Sequence, residues 1–179
     1  MESDRVQTGM LHRNLALELL KKLINDELKT RSRKNLVQSR SFAQILEETI
    51  QRYQNRSIEA AQVIAELIEL ALEISSAQSR GEELGLTEDE LAFYDALEVN
   101  DSAVQLLGDE ILQAIARDLV QTMRRNVTID WTVKESIRAK LRTTVKRLLR
   151  KYGYPPDKQE KATLTVLQQA ELLCKDWVA

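Results

Sequence analysis

Both prolines of this 179-residue chain stand side by side, at Pro155 and Pro156. Because proline lacks a backbone N–H and cannot continue a helix, the pair predicts one sharp break in a sequence that otherwise shows helical periodicity. Gly153 can end the preceding helix in a left-handed conformation. Pro156 then suits the first turn of the next helix, where its missing N–H is not needed. We therefore predict a rigid corner at 152–158, followed by a final helix from Pro156 to about residue 176.

Helical periodicity dominates the rest of the chain. Apolar residues recur every three or four residues in stretches such as 11–30, 41–53 and 102–125. Charged residues make up 30% of the chain and aromatic residues 4%, a balance typical of a globular protein with an aliphatic core. The sequence predicts an all-α fold, a single domain over 1–179 built as one irregular bundle of six or seven helices, with 1–10 as a candidate for disorder.

Two local patterns add detail to this prediction. The segment 58–79 carries apolar side chains on more than half of its circumference, and such a helix must be contacted from several sides, so we place it at the centre of the bundle. Ser41 with Gln44, and Thr87 with Glu90, match capping boxes, which predict the starts of two helices.

Composition and charge exclude several classes of protein. A net charge of −2 provides no long-range attraction to nucleic acid, so any site for a polyanion must be local. The single cysteine, Cys174, excludes an internal disulfide and a cysteine-based metal cluster. No apolar run approaches the ~20 residues that cross a bilayer, and the first residues lack the pattern of a secretory signal. We predict a cytoplasmic protein that does not contact membranes.

The residue patterns of common catalytic sites are missing. The five glycines are scattered singly, so there is no glycine-rich loop for a nucleotide phosphate. His12 and Cys174 form neither a nucleophile–base pair with local support nor a zinc-ligand spacing. We expect His12 to be solvated and Cys174 to be a small core residue. This chain is therefore predicted to have no catalytic residue, metal or cofactor of its own.

Charge is divided between two parts of the sequence. Residues 81–110 contain ten acidic residues and no basic one, whereas 131–151 contain eight basic residues and one acidic residue, a net charge of +7. These basic residues lie along one predicted helix whose other face is apolar, and aromatic residues of the corner are candidates to anchor a protein partner. The candidate contact residues are Trp131, Lys134, Arg138, Arg142, Lys146, Arg147, Arg150, Lys151, Tyr152, Tyr154 and Lys158.

Three explanations of this basic band stay open. In the first, the band pairs with the chain's own acidic block at 82–110 or is merely solvated. In the second, it contacts DNA phosphates, which requires cations without internal partners and predicts that affinity falls by about 0.9 log units per phosphate for each tenfold rise in salt. In the third, it docks onto a protein partner around an apolar or aromatic anchor.

Three stretches carry a family resemblance: GLTEDELAFYDALEVNDSA at 85–103, NVTIDWTVKESIRAKLR at 126–142 and VKRLLRKYGYPPDKQEKA at 145–162. They resemble the C-terminal region of the R subunit of type I restriction enzymes, the ATP-dependent DNA translocase and endonuclease subunit. The likeness extends from about residue 23 to residue 173 and is densest from Asp130 to Ala162.

The resemblance implies a role within a larger bacterial or archaeal complex. In that family the R subunit is much longer, and nuclease and helicase-like motor domains, which use ATP and Mg²⁺, precede the helical region. The resemblance therefore implies that this domain joins the motor subunit to the methyltransferase and specificity subunits, and it transfers no catalytic residue to this chain. Two hypotheses follow: an assembly domain that docks through 134–151 and the corner at 152–158, and a helical domain that binds double-stranded DNA through 134–151.

Overall fold

The computed structural model describes residues 2–99, 101–126, 135–156 and 159–178. These residues form eight helices and no strand, so the all-α prediction is confirmed and the predicted number of helices is too low. The helices are α1 (Glu2–Arg31), α2 (Leu36–Gln54), α3 (Ala60–Ser76), α4 (Arg80–Leu84), α5 (Glu88–Glu98), α6 (Asp101–Asn126), α7 (Glu135–Lys151) and α8 (Gln159–Val178). The additional helix is the short α4, which was not predicted from the sequence.

The chain divides into two compact units. Unit 1 comprises residues 1–32 and 39–80, and unit 2 comprises residues 33–38 and 81–179. Residues 33–38, which connect α1 to α2 and include the first turn of α2, therefore belong to unit 2 although their neighbours in sequence belong to unit 1. We call them the link 33–38. The single domain over 1–179 stays a prediction, since two compact units can belong to one domain.

Unit 1 contains α1, most of α2, and α3, and α1 packs along α3. Its core residues are Leu17, Ile24, Leu28, Leu46, Val63, Leu67, Leu70 and Ile74. α3 buries one face only, because Ile68 is 46% exposed and Leu72 is 66% exposed. The prediction that this helix is contacted from several sides is therefore wrong.

α1 and α2 begin earlier than the sequence predicted. α1 starts at Glu2, so residues 2–10, a candidate for disorder, continue the helix. α2 starts at Leu36, and the Oδ1 atom of Asn35 accepts a hydrogen bond from the backbone N–H of Gln38 at 3.1 Å. Asn35 therefore caps α2, and the capping box predicted at Ser41 is wrong because Ser41 lies inside the helix.

Unit 2 is organised around α5, whose residues 91–97 are all buried. Both α6 and α8 pack against α5. The capping box predicted at its start is confirmed, since Thr87 Oγ1 accepts from the backbone N–H of Glu90 at 3.3 Å and the Glu90 carboxylate accepts from the backbone N–H of Thr87 at 3.1 Å. α6 bends at Gly108, whose φ of 76° and ψ of 169° are essentially restricted to glycine.

Buried side chains attach the link 33–38 to unit 2. Gln169 on α8 is fully buried; its Nε2 donates to the carbonyl oxygen of Lys34, and its Oε1 accepts from the backbone N–H of Leu36, both at 2.8 Å. Asn35 Nδ2 donates to Asp95 Oδ2 on α5 at 2.7 Å. These bonds give the polar groups of the link partners within unit 2, which explains why the link packs there.

Two further predictions concern isolated residues. His12 is exposed on α1 and Cys174 is buried on α8, as the sequence predicted. None of the helices in the described ranges has the combination of length and hydrophobicity that crossing a bilayer requires.

Candidate interaction surface

The corner between α7 and α8 is a glycine-terminated helix end, as predicted. Gly153 has a φ of 75°, and the N–H groups of Gly153 and Tyr154 donate to the carbonyls of Arg150 and Leu149 at 3.0 and 2.9 Å. This pair of bonds is a Schellman motif. The Tyr154 side chain is 1% exposed, and its hydroxyl donates to the carbonyl oxygen of Leu97 on α5 at 2.9 Å. The corner is therefore anchored inside unit 2.

The structure describes α8 from Gln159 onward. Residues 157 and 158 lie outside the described residues, so the predicted start of this helix at Pro156 stays a prediction. Pro155 is buried and Pro156 is exposed. Gln159 Nε2 donates to the carbonyl oxygen of Tyr154 at 2.8 Å, which ties the first turn of α8 to the corner.

The apolar face of α7 determines where its cations lie. Its buried residues are Leu141, Val145, Leu148 and Leu149. Tyr152 follows the helix, is half-buried, and donates its hydroxyl to Asp118 Oδ2 on α6 at 3.0 Å. Burial raises the pKa of Tyr152, and the hydrogen bond and negative charge of Asp118 raise it further. The cationic side chains of α7 therefore lie on its exposed face and along its flanks.

Cations on one flank of α7 pair with carboxylates of α8. Arg138 donates to Glu171, and Lys146 donates to Glu160. Arg142 lies 3.8 Å from the same Glu160 carboxylate. The hydrogen bond from Lys146, the charge of Lys146 and the charge of Arg142 lower the pKa of Glu160. A row of ion pairs therefore links the two helices along one edge.

Lys151 pairs with α6 instead. Its Nζ lies 3.6 Å from Asp118 Oδ2 and 5.3 Å from the centre of the Tyr152 ring. This position combines an ion pair with a cation–π contact. Lys151 is therefore engaged within unit 2.

The acidic block at 82–110 has other partners. Its ion pairs among the described residues are Glu88 with Lys34, Asp89 with Arg124 and Glu90 with Arg117. Those cations lie in the link 33–38 and on α6. Four described cations of α7 have carboxylate partners, and these partners are Asp118 on α6 and two residues of α8. For these four cations, the hypothesis that they pair with the acidic block is wrong.

The outward face of α7 carries a second set of cations. Lys140, Arg147 and Arg150 are exposed, and none of them has a carboxylate partner among the described residues. At 3.6 residues per turn they lie opposite the buried face, with the small side chains of Ala139 and Thr143 beside them. These cations keep their charge available to a partner.

A groove of about 900 Å³ runs along α7 and α8 next to this outward face. Arg138, Arg142 and Glu171 line it together with Leu164 of α8, which is 48% exposed. Ala139 and Thr143 also line the groove. The groove and the outward cations are therefore continuous, and we call them together the α7–α8 surface.

The structure divides the predicted contact residues into distinct groups. The paired cations are Arg138, Arg142, Lys146 and Lys151. Arg147 and Arg150 are exposed and have no carboxylate partner in the described part of the chain. Trp131, Lys134 and Lys158 lie outside the described residues. Tyr152 is bonded to Asp118. Tyr154 requires a correction, because its side chain lies in the core and offers no surface to a partner.

Two residues of the surface were missed from the sequence. Lys140 belongs to the basic segment 131–151 but was not among the candidate contact residues. Leu164 gave no signal by itself. In an antiparallel pair of helices, residues equally distant from the corner face each other, as Lys146 and Glu160 do. This symmetry is the signal that could have placed Leu164 beside α7.

The surface shows no arrangement for metal chemistry. Within the described residues, no group of three or more His, Cys, Asp or Glu side chains is placed to hold a metal ion. Fold and surface together define an all-α module with a charged groove between its last two helices.

Comparison with known proteins assigns this module to a family. A family model described as "Type I restriction enzyme HindI endonuclease subunit-like, C-terminal" matches residues 4–176. The type I restriction enzyme HindI endonuclease subunit of Haemophilus influenzae is 40% identical over 164 residues, which cover 92% of this chain and 16% of that protein. The putative type I restriction enzyme MjaIXP endonuclease subunit of Methanocaldococcus jannaschii is 34% identical over 143 residues, or 79% of this chain and 14% of that protein. No solved structure matches the chain.

The chain belongs to the C-terminal family of HindI-like type I restriction enzyme endonuclease subunits. The resemblance predicted from the sequence is thereby confirmed. The chain spans 16% and 14% of the lengths of these two relatives.

Proposed function

We propose that this chain is the assembly domain of a type I restriction enzyme endonuclease subunit, and that its α7–α8 surface docks the subunit onto the methyltransferase and specificity subunits. The observation that carries the proposal is a set of exposed cations, Lys140, Arg147 and Arg150, that have no carboxylate partner among the described residues and lie beside a groove that exposes Leu164. Nuclease and ATP-driven motor activities, with ATP and Mg²⁺, belong in this proposal to other parts of the subunit, in the cytoplasm.

The outward cations of α7 and the exposed Leu164 both fit a protein partner. Exposed cations without internal partners attract a partner carrying carboxylates, and they set the rate and orientation of docking. Leu164 offers the apolar anchor around which the energy of a protein interface is usually concentrated. The ion pairs of Arg138 and Arg142 with α8 hold α7 and α8, which form the two sides of the groove, in place.

Direct binding of double-stranded DNA is the second candidate function. The same three cations favour it, because phosphate contact requires cations that no internal carboxylate neutralises. The groove does not strengthen this candidate, since Glu135 and Glu171 line it together with Arg138 and Arg142 and balance their charge. If all three cations contacted phosphates, log affinity would fall by about 2.7 for each tenfold rise in salt.

Docking is tested by reversing outward charges. Lys140→Glu with Arg147→Glu should weaken binding to the methyltransferase–specificity core by about tenfold, which corresponds to about 1.4 kcal/mol. The matched control, Arg13→Glu with Lys29→Glu, makes the same charge change at exposed positions of unit 1 and should leave the affinity within about twofold. Biolayer interferometry measures both, and equal affinities for the two variants would refute the proposed surface.

The paired cations are unsuitable for this test. Reversing Arg138, Arg142 or Lys146 would also break ion pairs to α8, so a loss of binding would not separate contact from structure. Leu164→Gln is a better second variant, because the side chain is already 48% exposed and its replacement leaves the core intact. It should weaken docking without lowering the thermal stability of the chain.

DNA binding is tested by fluorescence anisotropy with a labelled duplex at low and moderate salt. The docking proposal expects weak binding that the Lys140→Glu/Arg147→Glu variant barely changes. Tight binding whose log affinity falls by about 2.7 for each tenfold rise in salt would refute docking and support DNA binding as the function of this surface. ATP hydrolysis by the purified chain would show that the chain has a catalytic role of its own.

A further inference from the structure

A row of leucines is exposed along α1 in unit 1. Leu11, Leu15, Leu19 and Leu23 are exposed by 69, 68, 56 and 57%. They recur every fourth residue and, at 3.6 residues per turn, lie on the side of α1 opposite the buried Leu17, Ile24 and Leu28. We call these four residues the leucine stripe.

The leucine stripe has the geometry of a packing ridge. Residues four apart on a helix form the ridges that fit into the grooves of a neighbouring helix. Single exposed leucines are ordinary on a protein surface, whereas an aligned row of large aliphatic side chains marks a contact site. The beginning of α1 also extends beyond the core of unit 1, since residues 5 and 7–15 are all exposed.

We infer that the leucine stripe packs against an aliphatic helix in the part of the endonuclease subunit that precedes this C-terminal region. The inference rests on the family assignment and is independent of docking through the α7–α8 surface. α1 then fastens the chain to the rest of its own subunit, while the α7–α8 surface remains available to other subunits.

The comparison with relatives supports this occupant. The match covers only 16% of the HindI subunit, and the family model describes a C-terminal region, so most of such a subunit lies ahead of α1 in sequence. A covalently connected helix is present at an effective concentration in the millimolar range. At such a concentration a modest apolar contact is sufficient to keep the leucine stripe packed against that helix.

A second copy of the chain is a poorer occupant. The free energy of burying a leucine side chain, divided by about 25 cal/mol per Å², corresponds to about 100 Å² of apolar surface. At their observed exposures the four leucines therefore offer about 250 Å² together. Two copies of the chain would bury about 500 Å² between them. Stable interfaces between separate proteins bury about 1,200 Å² or more. The stripe is therefore too small to hold two independent chains together.

A cysteine placed in the stripe tests the inference. Cys174 is buried, so Leu15→Cys introduces an accessible thiol on the 179-residue chain. Its labelling by a maleimide is compared with labelling in a chimera in which this chain replaces the matching C-terminal region of the HindI subunit, and mass spectrometry quantifies the peptide that carries residue 15. Labelling should be about tenfold slower in the chimera, as expected for a side chain covered in most molecules.

Asn14→Cys provides the matched control. Asn14 is exposed and adjacent to Leu15 but points away from the stripe, so its labelling should differ between the two proteins by less than about twofold. Equal labelling of Leu15→Cys in both proteins would overturn the inference. Protection of Leu15→Cys in the isolated chain that increases with protein concentration would also overturn it, because the occupant would then be a second copy.

A polar variant of the leucine stripe tests the inference without chemical labelling. Leu15→Gln with Leu19→Gln should leave the thermal unfolding of the isolated chain unchanged, since both residues are exposed there. The same change should lower the unfolding temperature of the chimera. An unchanged chimera would count against the inference and would leave the docking tests on α7 unaffected.

Discussion

Replacing Gln169 with methionine removes the two hydrogen bonds that α8 makes to the link 33–38 and keeps the length of the side chain. The carbonyl oxygen of Lys34 and the backbone N–H of Leu36 each lose a partner at 2.8 Å. An unsatisfied buried polar group costs about 1–3 kcal/mol. Both bonds are only partly buried, so we take the lower part of that range and expect a total loss of about 2–3 kcal/mol.

The expected loss corresponds to a fall of about 4–12 °C in melting temperature, at about 2–4 °C per kcal/mol for a chain of this size. Urea denaturation followed by circular dichroism measures the loss directly, because the described residues of unit 2 are mainly helical.

Gln121→Met is the matched control for this prediction. Gln121 is an exposed residue of α6 in unit 2, and the same substitution there should change the free energy of unfolding by less than about 0.5 kcal/mol. If Gln169→Met were no more destabilising than Gln121→Met, the link would not depend on these hydrogen bonds and the argument would be refuted.

Three further changes test the local structure of unit 2. Gly153→Ala should destabilise the chain by about 1–2 kcal/mol, because a residue with a side chain is strained at a φ of 75°, and a urea midpoint equal to that of the unmodified chain would contradict this. Thr87→Ala should cost about 1 kcal/mol by removing the capping box with Glu90, and Thr87→Ser, measured in the same way, should recover most of it. The pKa of Glu160 is lowered in the folded state from its ordinary value of 4.5, so its carboxylate stabilises the fold above that value and the contribution is lost as the pH falls through the folded pKa. Glu160→Gln should therefore reduce the loss of stability between about pH 6 and pH 3, and an unchanged pH dependence would show that the ion pair with Lys146 has no net effect.

The features predicted correctly from the sequence depend on residues within one or two turns. The glycine-terminated corner and the capping box at Thr87 are set by backbone sterics and by hydrogen bonds between neighbours. The start of α2 was missed because its cap is Asn35, a residue whose side chain is also held by Asp95 on α5. The prediction that α3 is contacted from several sides was wrong, because apolar residues beyond its buried face are exposed, as at Leu72.

By itself the sequence determined the all-α class, the family and the position of the corner, because helical periodicity, proline and glycine act locally. Only the tertiary structure decided which cations of α7 are available. Arg138 and Arg147 belong to the same basic band in sequence, yet one is paired with Glu171 and the other has no carboxylate partner among the described residues. The difference arises because the corner folds α8 back along one flank of α7, and an ion pair depends on the distance between charges in space rather than along the chain.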